Sequence, residues 1–221
     1  AAYVLVVLAT GGLAAAGTDT EESAEAAVQT ALVGFGFAQL VLLVVGVLAV
    51  SAEFASGSAV ATFAAVPRRT RLLLAKTAVV VTWSVLLSAV LAALCFLAAR
   101  TLTAVPGGIS PSDPEVLRTL GLQLLATALV GVLGVALGAV LRSTAGAVGV
   151  GAALVLVLPP VLAVSGPRWA EQLSQALPMV RVGQDALFAV PTTWPVGMAV
   201  VAAWGGGAWL VGAVLLERRD V

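Results

Sequence analysis

The sequence has no histidine, one cysteine and one lysine among its 221 residues, and only 10% of its residues are charged. Without histidine, the usual metal sites and catalysis by a histidine base are nearly excluded. The single Cys95 lies in an apolar run, so an internal disulfide is excluded. Because 61% of the residues are hydrophobic and the mean hydropathy is +1.11, there is too little polar surface for a water-soluble domain. The composition predicts a polytopic, all-α membrane protein.

Six apolar segments reach or approach the length of about 20 residues that a helix needs to cross a bilayer. The predicted spans are residues 1–16, 28–50, 72–99, 116–141, 145–164 and 196–216, in one transmembrane domain that covers residues 1–221. The first segment is shorter than a span, and we expect part of that helix to precede Ala1.

The basic residues concentrate on one side of the predicted membrane, and most acidic residues fall on the other. By the positive-inside rule, residues 51–76 and both chain ends are expected in the cytoplasm. The strong preference for arginine over lysine is typical of a GC-rich bacterial genome, which predicts a bacterial cytoplasmic membrane. The basic residues on the cytoplasmic side are Arg68, Arg69, Arg71, Lys76, Arg142, Arg218 and Arg219.

Residues 51–76, between the second and third spans, form a short polar segment in an otherwise apolar chain. Ser51 can cap a helix, Glu53 suits its first turn, and Pro67 stops it near residue 66, so we predict a helix over residues 51–66 at the membrane surface. The arginines after Pro67 lie where anionic headgroups or an acidic partner would be, and Lys76 can extend to the same level. The plainer interpretation is a loop that only sets topology.

Two further connections are informative. Only residues 142–144 join the fourth and fifth spans, which predicts an antiparallel hairpin, and both spans carry a face of small residues that lets backbones approach. Between the fifth and sixth spans, residues 168–190 predict two short outer helices that fold back at the membrane surface. The small residues are Gly131, Gly134 and Gly138 in the fourth span and Ala145, Gly149 and Ala153 in the fifth.

Several kinds of chemistry are missing from the predicted spans. No Asp, Glu or Lys lies at the middle of a span, which disfavours ion-coupled transport, although sodium sites built from carbonyls and hydroxyls stay open. The only lysine lacks the glycines of a phosphate-binding loop, so the chain is not expected to hydrolyse ATP or to be an enzyme. The polar residues inside the spans either satisfy neighbouring helices or line a path for a large amphipathic molecule. The candidate path residues are Thr82, Trp83, Ser84, Gln123 and Thr127.

The polar segment resembles a stretch found in type-2, exporter-like ABC transporter permeases, in their actinobacterial form. It carries Glu53-Phe54-x-x-Gly57, then Thr62 and Pro67-Arg68-Arg69, and then Leu73-x-Ala75-Lys76. Residues 138–146, 169–184 and 218–221 resemble the family's hairpin, outer helices and usual ending. Phe54 stands where tyrosine is usual, and Ser58 where threonine is common.

The resemblance implies a permease subunit that exports a hydrophobic or amphipathic compound, such as a drug, an antibiotic or a lipid. It would pair with a second permease chain among membrane lipids and bind two cytoplasmic ATPase subunits, which would hold ATP and Mg; no cofactor in this chain and no nucleic acid is implied. Residues 51–66 would be the coupling helix. The implied ATPase interface is Glu53, Phe54, Gly57, Thr62, Pro67, Arg68 and Arg69.

Two rival functions remain. The chain could be a membrane anchor or assembly subunit that transports nothing and recruits a cytoplasmic partner or anionic lipid through its basic segment. It could also be a stand-alone carrier or channel, which would transport without ATP.

Overall fold

The computed structural model describes residues 28, 31–32, 34–58, 69–102, 110–164, 168–169, 173, 177 and 194–218. These residues form five helical rods, which confirms the all-α prediction for the described part of the chain. The helices are α1 (Gly34–Ala55), α2 (Arg69–Leu102), α3 (Pro114–Leu141), α4 (Thr144–Ala152), which continues through a π-helical turn (Ala153–Val157) into α5 (Leu158–Val164), and α6 (Trp194–Arg218).

Three helices, α2, α3 and α6, are long and apolar enough to cross a membrane, which indicates a multi-pass membrane protein. The predicted second and fifth spans are also helical, but their described apolar stretches, Gln39–Ala55 and Thr144–Val157, are shorter than a span. The predicted first span and nearly all of residues 168–190 lie outside the described residues. The arrangement with six spans therefore stays a prediction.

Local signals set the ends of α3 and the turn into α4. Asp113 caps the start of α3 by accepting a hydrogen bond from the Glu115 backbone N–H at 3.0 Å, and Pro114 occupies the first helical position. The helix ends at Arg142, which has a left-handed backbone with φ of 51°. The next residue, Ser143, caps the start of α4. A Cβ added to Gly151 of α4 would lie 3.1 Å from Leu137 of α3, so α4 runs back along α3 and the predicted hairpin is confirmed.

α3 is the central helix of the bundle and contacts α1, α2, α4 and α6. In its most apolar window, 67% of the residues are buried, against 33% in α2 and 28% in α6. The apolar core forms three clusters along α3, and the middle one joins Leu43 and Val47 of α1 to Leu133 of α3. The outward faces of α2 and α6 remain exposed and apolar, as expected for helices that border lipid.

The glycine face of α3 packs mainly against α1, a partner that the sequence did not identify. A Cβ atom added to Gly134 would lie 2.4 Å from the Leu43 carbonyl oxygen, and one added to Gly138 would lie 2.7 Å from the Val47 carbonyl oxygen. Gly46 of α1 approaches Gly131 and Gly134 from the other side. A Cβ on Gly149 of α4 would meet no atom within 4 Å. We call the contact between Gly46, Gly134 and Gly138 the glycine seam.

Candidate functional site

Five helix ends meet at one end of the bundle, where α1, α3 and α6 finish and α2 and α4 begin. We call residues 51–58, 69–77, 142–144 and 216–218 the polar end. The Ser51 and Thr144 hydroxyls are 2.8 Å apart, and Arg69 Nη1 donates to the Leu216 carbonyl oxygen at 2.9 Å. The basic residues that the sequence placed on one side of the membrane, where described, lie here: Arg69, Arg71, Lys76, Arg142 and Arg218.

Glu53 of α1 is paired with Lys76 of α2. The Lys76 ammonium lies 2.7 Å from Glu53 Oε1, with side-chain exposures of 16% for Lys76 and 28% for Glu53. Lys76 Nζ also donates to the Ala49 carbonyl oxygen at 2.7 Å. Lys76 therefore bends towards α1 and ties the two ends of the polar segment together, whereas the sequence predicted that it would extend to the headgroups.

Phe54 of α1 faces the turn between α3 and α4. The Arg142 guanidinium carbon lies 5.0 Å from the centre of the Phe54 ring, a cation–π distance. Half-buried Phe54 also packs against the apolar cluster that contains Val50 and Leu73. The end of α1 is thus attached to α2 through Glu53, and to the α3–α4 turn through Phe54 and Ser51.

An exposed turn over residues 56–58 follows α1. Gly57 has a φ of 71°, a conformation that favours glycine, and a Cβ there would meet no atom within 4 Å. The Ser56 and Ser58 hydroxyls lie 2.9 Å apart, and Ser56 Oγ donates to the Glu53 carbonyl oxygen at 3.3 Å. The turn is exposed, and several helices hold its base in place.

These positions change the interpretation of the predicted surface helix. Ser51 does not cap a new helix: it is buried inside α1, which continues to Ala55 before the turn. Residues 51–55 are therefore the last part of α1. Residues 56–58, which were predicted to be helical, form the turn instead. Residues 59–66 of the predicted helix, including Thr62, lie outside the described residues, as do Pro67 and Arg68.

The five candidate path residues do not line one surface. Thr82 and Trp83 lie on the exposed face of α2, whereas Ser84 is buried next to Gly131 of α3. Gln123 and Thr127 are buried in α3, and the Thr127 hydroxyl donates to the Gln123 carbonyl oxygen at 2.7 Å. Within the described ranges, Gln123 Oε1 accepts no hydrogen bond.

Sequence reasoning missed two polar contacts between helices at this end. It did not predict that the Trp209 indole N–H donates to Thr77 Oγ1 at 3.0 Å, or that Ser51 pairs with Thr144. Both contacts join residues that are far apart in sequence, and neither has a local signature. Among the residues that the structure describes, no group of three or more His, Cys, Asp or Glu side chains could hold a metal ion.

No protein-family model, curated protein or solved structure matches this chain. The likeness to ABC transporter permeases therefore rests on the sequence motifs alone.

Proposed function

We propose that this chain is the transmembrane permease subunit of a type-2, exporter-like ABC transporter. It would move a hydrophobic or amphipathic compound across the bacterial cytoplasmic membrane, with both chain ends in the cytoplasm. A second permease chain would complete the pathway, and two separate ATPase subunits would supply the energy.

This proposal is supported by the exposed turn over residues 56–58 and by the contacts that hold the end of α1 beneath it. A partner that displaces the turn would move the end of α1, because α1 is continuous from the turn into the bundle. The Glu53–Lys76 pair would pass that motion to α2, and the Phe54–Arg142 contact would pass it to the α3–α4 turn. This is the mechanical linkage that a permease driven from the cytoplasm needs.

The placement of the interface residues divides their roles in this proposal. Gly57 and its neighbouring serines would contact the ATPase, because they are exposed. Glu53 and Phe54 would transmit the motion within the chain. Charge reversal at Glu53 would lower transport whether Glu53 transmits the motion or only stabilises the fold. It therefore does not test the coupling role. For the compound, Thr82 and Trp83 offer a hydroxyl and an indole on the exposed face of α2.

Photo-crosslinking in native membranes tests the proposed partner. A probe at Ser58 is expected to capture a cytoplasmic subunit with a phosphate-binding loop, identified by mass spectrometry. The matched control is a probe at Ser112, an exposed serine in a turn at the opposite end of α3, which should not capture that subunit. Capture of lipid alone, or of a protein without nucleotide-binding motifs, at Ser58 would favour the membrane-anchor alternative.

A substitution in the turn tests coupling. Gly57→Phe is expected to reduce ATP-driven transport by about tenfold or more while the chain stays folded in the membrane. The large side chain would project from the exposed turn, where the ATPase is proposed to bind. Gly57→Asn tolerates the left-handed backbone with a smaller side chain and should retain more transport. Equal transport by both variants and the unsubstituted chain would contradict a coupling role for the turn.

A further inference from the structure

A recess of about 240 Å³ opens between α1 and α2 near the polar end. Its accessible lining is apolar, although the stem of a lysine forms part of the wall. It opens on the outward face of α2, where the Leu74, Val79 and Trp83 side chains are 53%, 58% and 69% exposed. The recess is lined by Ala49, Ala75, Lys76, Val79 and Val80.

The length of α2 places this recess in the bilayer. At a rise of 1.5 Å per residue, about 43 Å of helix separates Arg71 from Arg100, which is close to the ~40–45 Å thickness of a bilayer with its headgroups. Each arginine therefore lies in a headgroup layer when α2 spans the membrane. Ala75 and Val79 lie about 6 and 12 Å further in than Arg71, where the hydrocarbon begins.

Arg71 lies about one helical turn from the recess, on the headgroup side. Arg71, Ala75 and Val79 are spaced four residues apart, so they share one face of α2. Helical side chains lean towards the N-terminus, which directs the exposed Arg71 towards the headgroups and away from the hydrocarbon. The Lys76 charge is already balanced by Glu53, so we assign the headgroup contact to the exposed Arg71.

We propose that this recess and Arg71 together form a binding site for one anionic phospholipid. The phosphate would bind Arg71, and one acyl chain would lie between α1 and α2. A cation at headgroup height directly above an apolar groove matches the two parts of an anionic lipid, whereas the recess alone would not distinguish lipids. The site does not depend on transport and would exist whether or not the proposed function is correct.

Lipid titration of the purified full chain, followed by native mass spectrometry, tests the charged part. The chain is expected to bind phosphatidylglycerol in preference to phosphatidylcholine, and Arg71→Gln should weaken phosphatidylglycerol binding about fivefold. Arg100→Gln makes the same change at the other end of α2 and should leave phosphatidylglycerol binding unchanged. Equal losses in both variants, or no preference for the anionic lipid, would overturn the proposal.

Two substitutions of exposed alanines on α2 test the groove. Ala75→Phe would fill the recess and is expected to weaken phosphatidylglycerol binding at least as much as Arg71→Gln, whereas Ala78→Phe lies outside the recess and should not. A diazirine probe at Val79 should label lipid in native membranes. Labelling of a second copy or another protein in place of lipid, or equal lipid binding by the two alanine variants, would overturn the proposal.

Discussion

α1 and α6 both pack against the central helix α3, but different contacts hold them there. α1 approaches α3 through the glycine seam, where backbone atoms touch and no Cβ would fit. In α6, a Cβ on Gly205 or Gly212 would lie 3.4 or 3.2 Å from its nearest neighbour, and Gly206 and Gly207 have none within 4 Å. α6 instead packs against α3 through apolar side chains such as Val201 and Ala213, and two hydrogen bonds, from Arg69 and from Trp209, join it to α2.

The difference shows that glycine content does not identify a close helix contact. Three consecutive glycines in α6 leave two of their Cα atoms facing open space, whereas single glycines four residues apart on α3 sit against a backbone. Only the second arrangement places small residues on one face, which lets two helices approach. We expect α1 to depend on backbone fit, and α6 on apolar packing together with its hydrogen bonds to α2.

The largest expected effect comes from breaking the glycine seam with Gly134→Ala. The new methyl group would lie 2.4 Å from the Leu43 carbonyl oxygen, so the backbones must separate. We expect a loss of about 3 kcal/mol in the free energy of unfolding, the upper end for overpacking, because backbone cannot move aside as a flexible side chain does. The loss is measured by unfolding the protein with SDS in mixed detergent micelles, followed by circular dichroism.

Gly207→Ala in α6 is the matched control for that substitution. Its methyl group would meet no atom within 4 Å, and alanine favours the helix by up to about 1 kcal/mol over glycine. The control should unfold at the same or a slightly higher SDS fraction. If Gly134→Ala also unfolds like the unsubstituted chain, α1 and α3 are not in backbone contact and the contrast with α6 is wrong.

A smaller effect is expected from Glu53→Gln, which removes the ion pair that fastens α1 to α2. The pair is partly buried, so we expect a loss of about 1.5 kcal/mol, the low end for a hydrogen bond to a charged group. A double-mutant cycle with Lys76→Met measures the interaction free energy between Glu53 and Lys76. Lys76→Met alone should cost more than Glu53→Gln, because it also removes the hydrogen bond from Lys76 Nζ to the Ala49 carbonyl oxygen.

Glu115→Gln provides the comparison for the ion pair. Glu115 pairs with Arg118 three residues later in the same helix, and their side chains are 51% and 42% exposed. Exposed pairs within a helix contribute little, so this substitution should change stability by less than about 0.5 kcal/mol. Equal losses for Glu53→Gln and Glu115→Gln would mean that the pair at the polar end adds no more than a surface pair.

The sequence predicted features that depend on local signals. Apolar length predicted the helices α2, α3 and α6 within a few residues, because each span is apolar throughout. The three-residue connection at Arg142 predicted the α3–α4 hairpin, because so short a link leaves two helices no other arrangement. The charge distribution correctly grouped at one end the five described basic residues of the predicted cytoplasmic side.

Contacts between distant residues could not be predicted in this way. A face of small residues indicates that some backbone comes close, but it does not say which one, so the contact between the glycines of α3 and α1 was not predicted. Ser51 carries the same local signal whether it caps a helix or, as here, bonds to Thr144 from inside one. The Phe54–Arg142 contact joins positions with no shared local pattern.

The smallest expected effect is that of Trp209→Phe, which tests how polar side chains hold α6. The indole N–H donates to Thr77 Oγ1 at 3.0 Å, and that hydroxyl donates to the Leu73 carbonyl oxygen at 2.8 Å. Phenylalanine keeps most of the packing, and Thr77 keeps its bond to α2, so only the contact between helices is lost. We expect a cost of about 0.6 kcal/mol, the average for such bonds in membranes, measured by SDS unfolding.

Trp83→Phe, at a side chain that is 69% exposed, should cost less. If the two substitutions cost the same, the indole bond does not hold α6, and its attachment must depend on Arg69 and apolar packing.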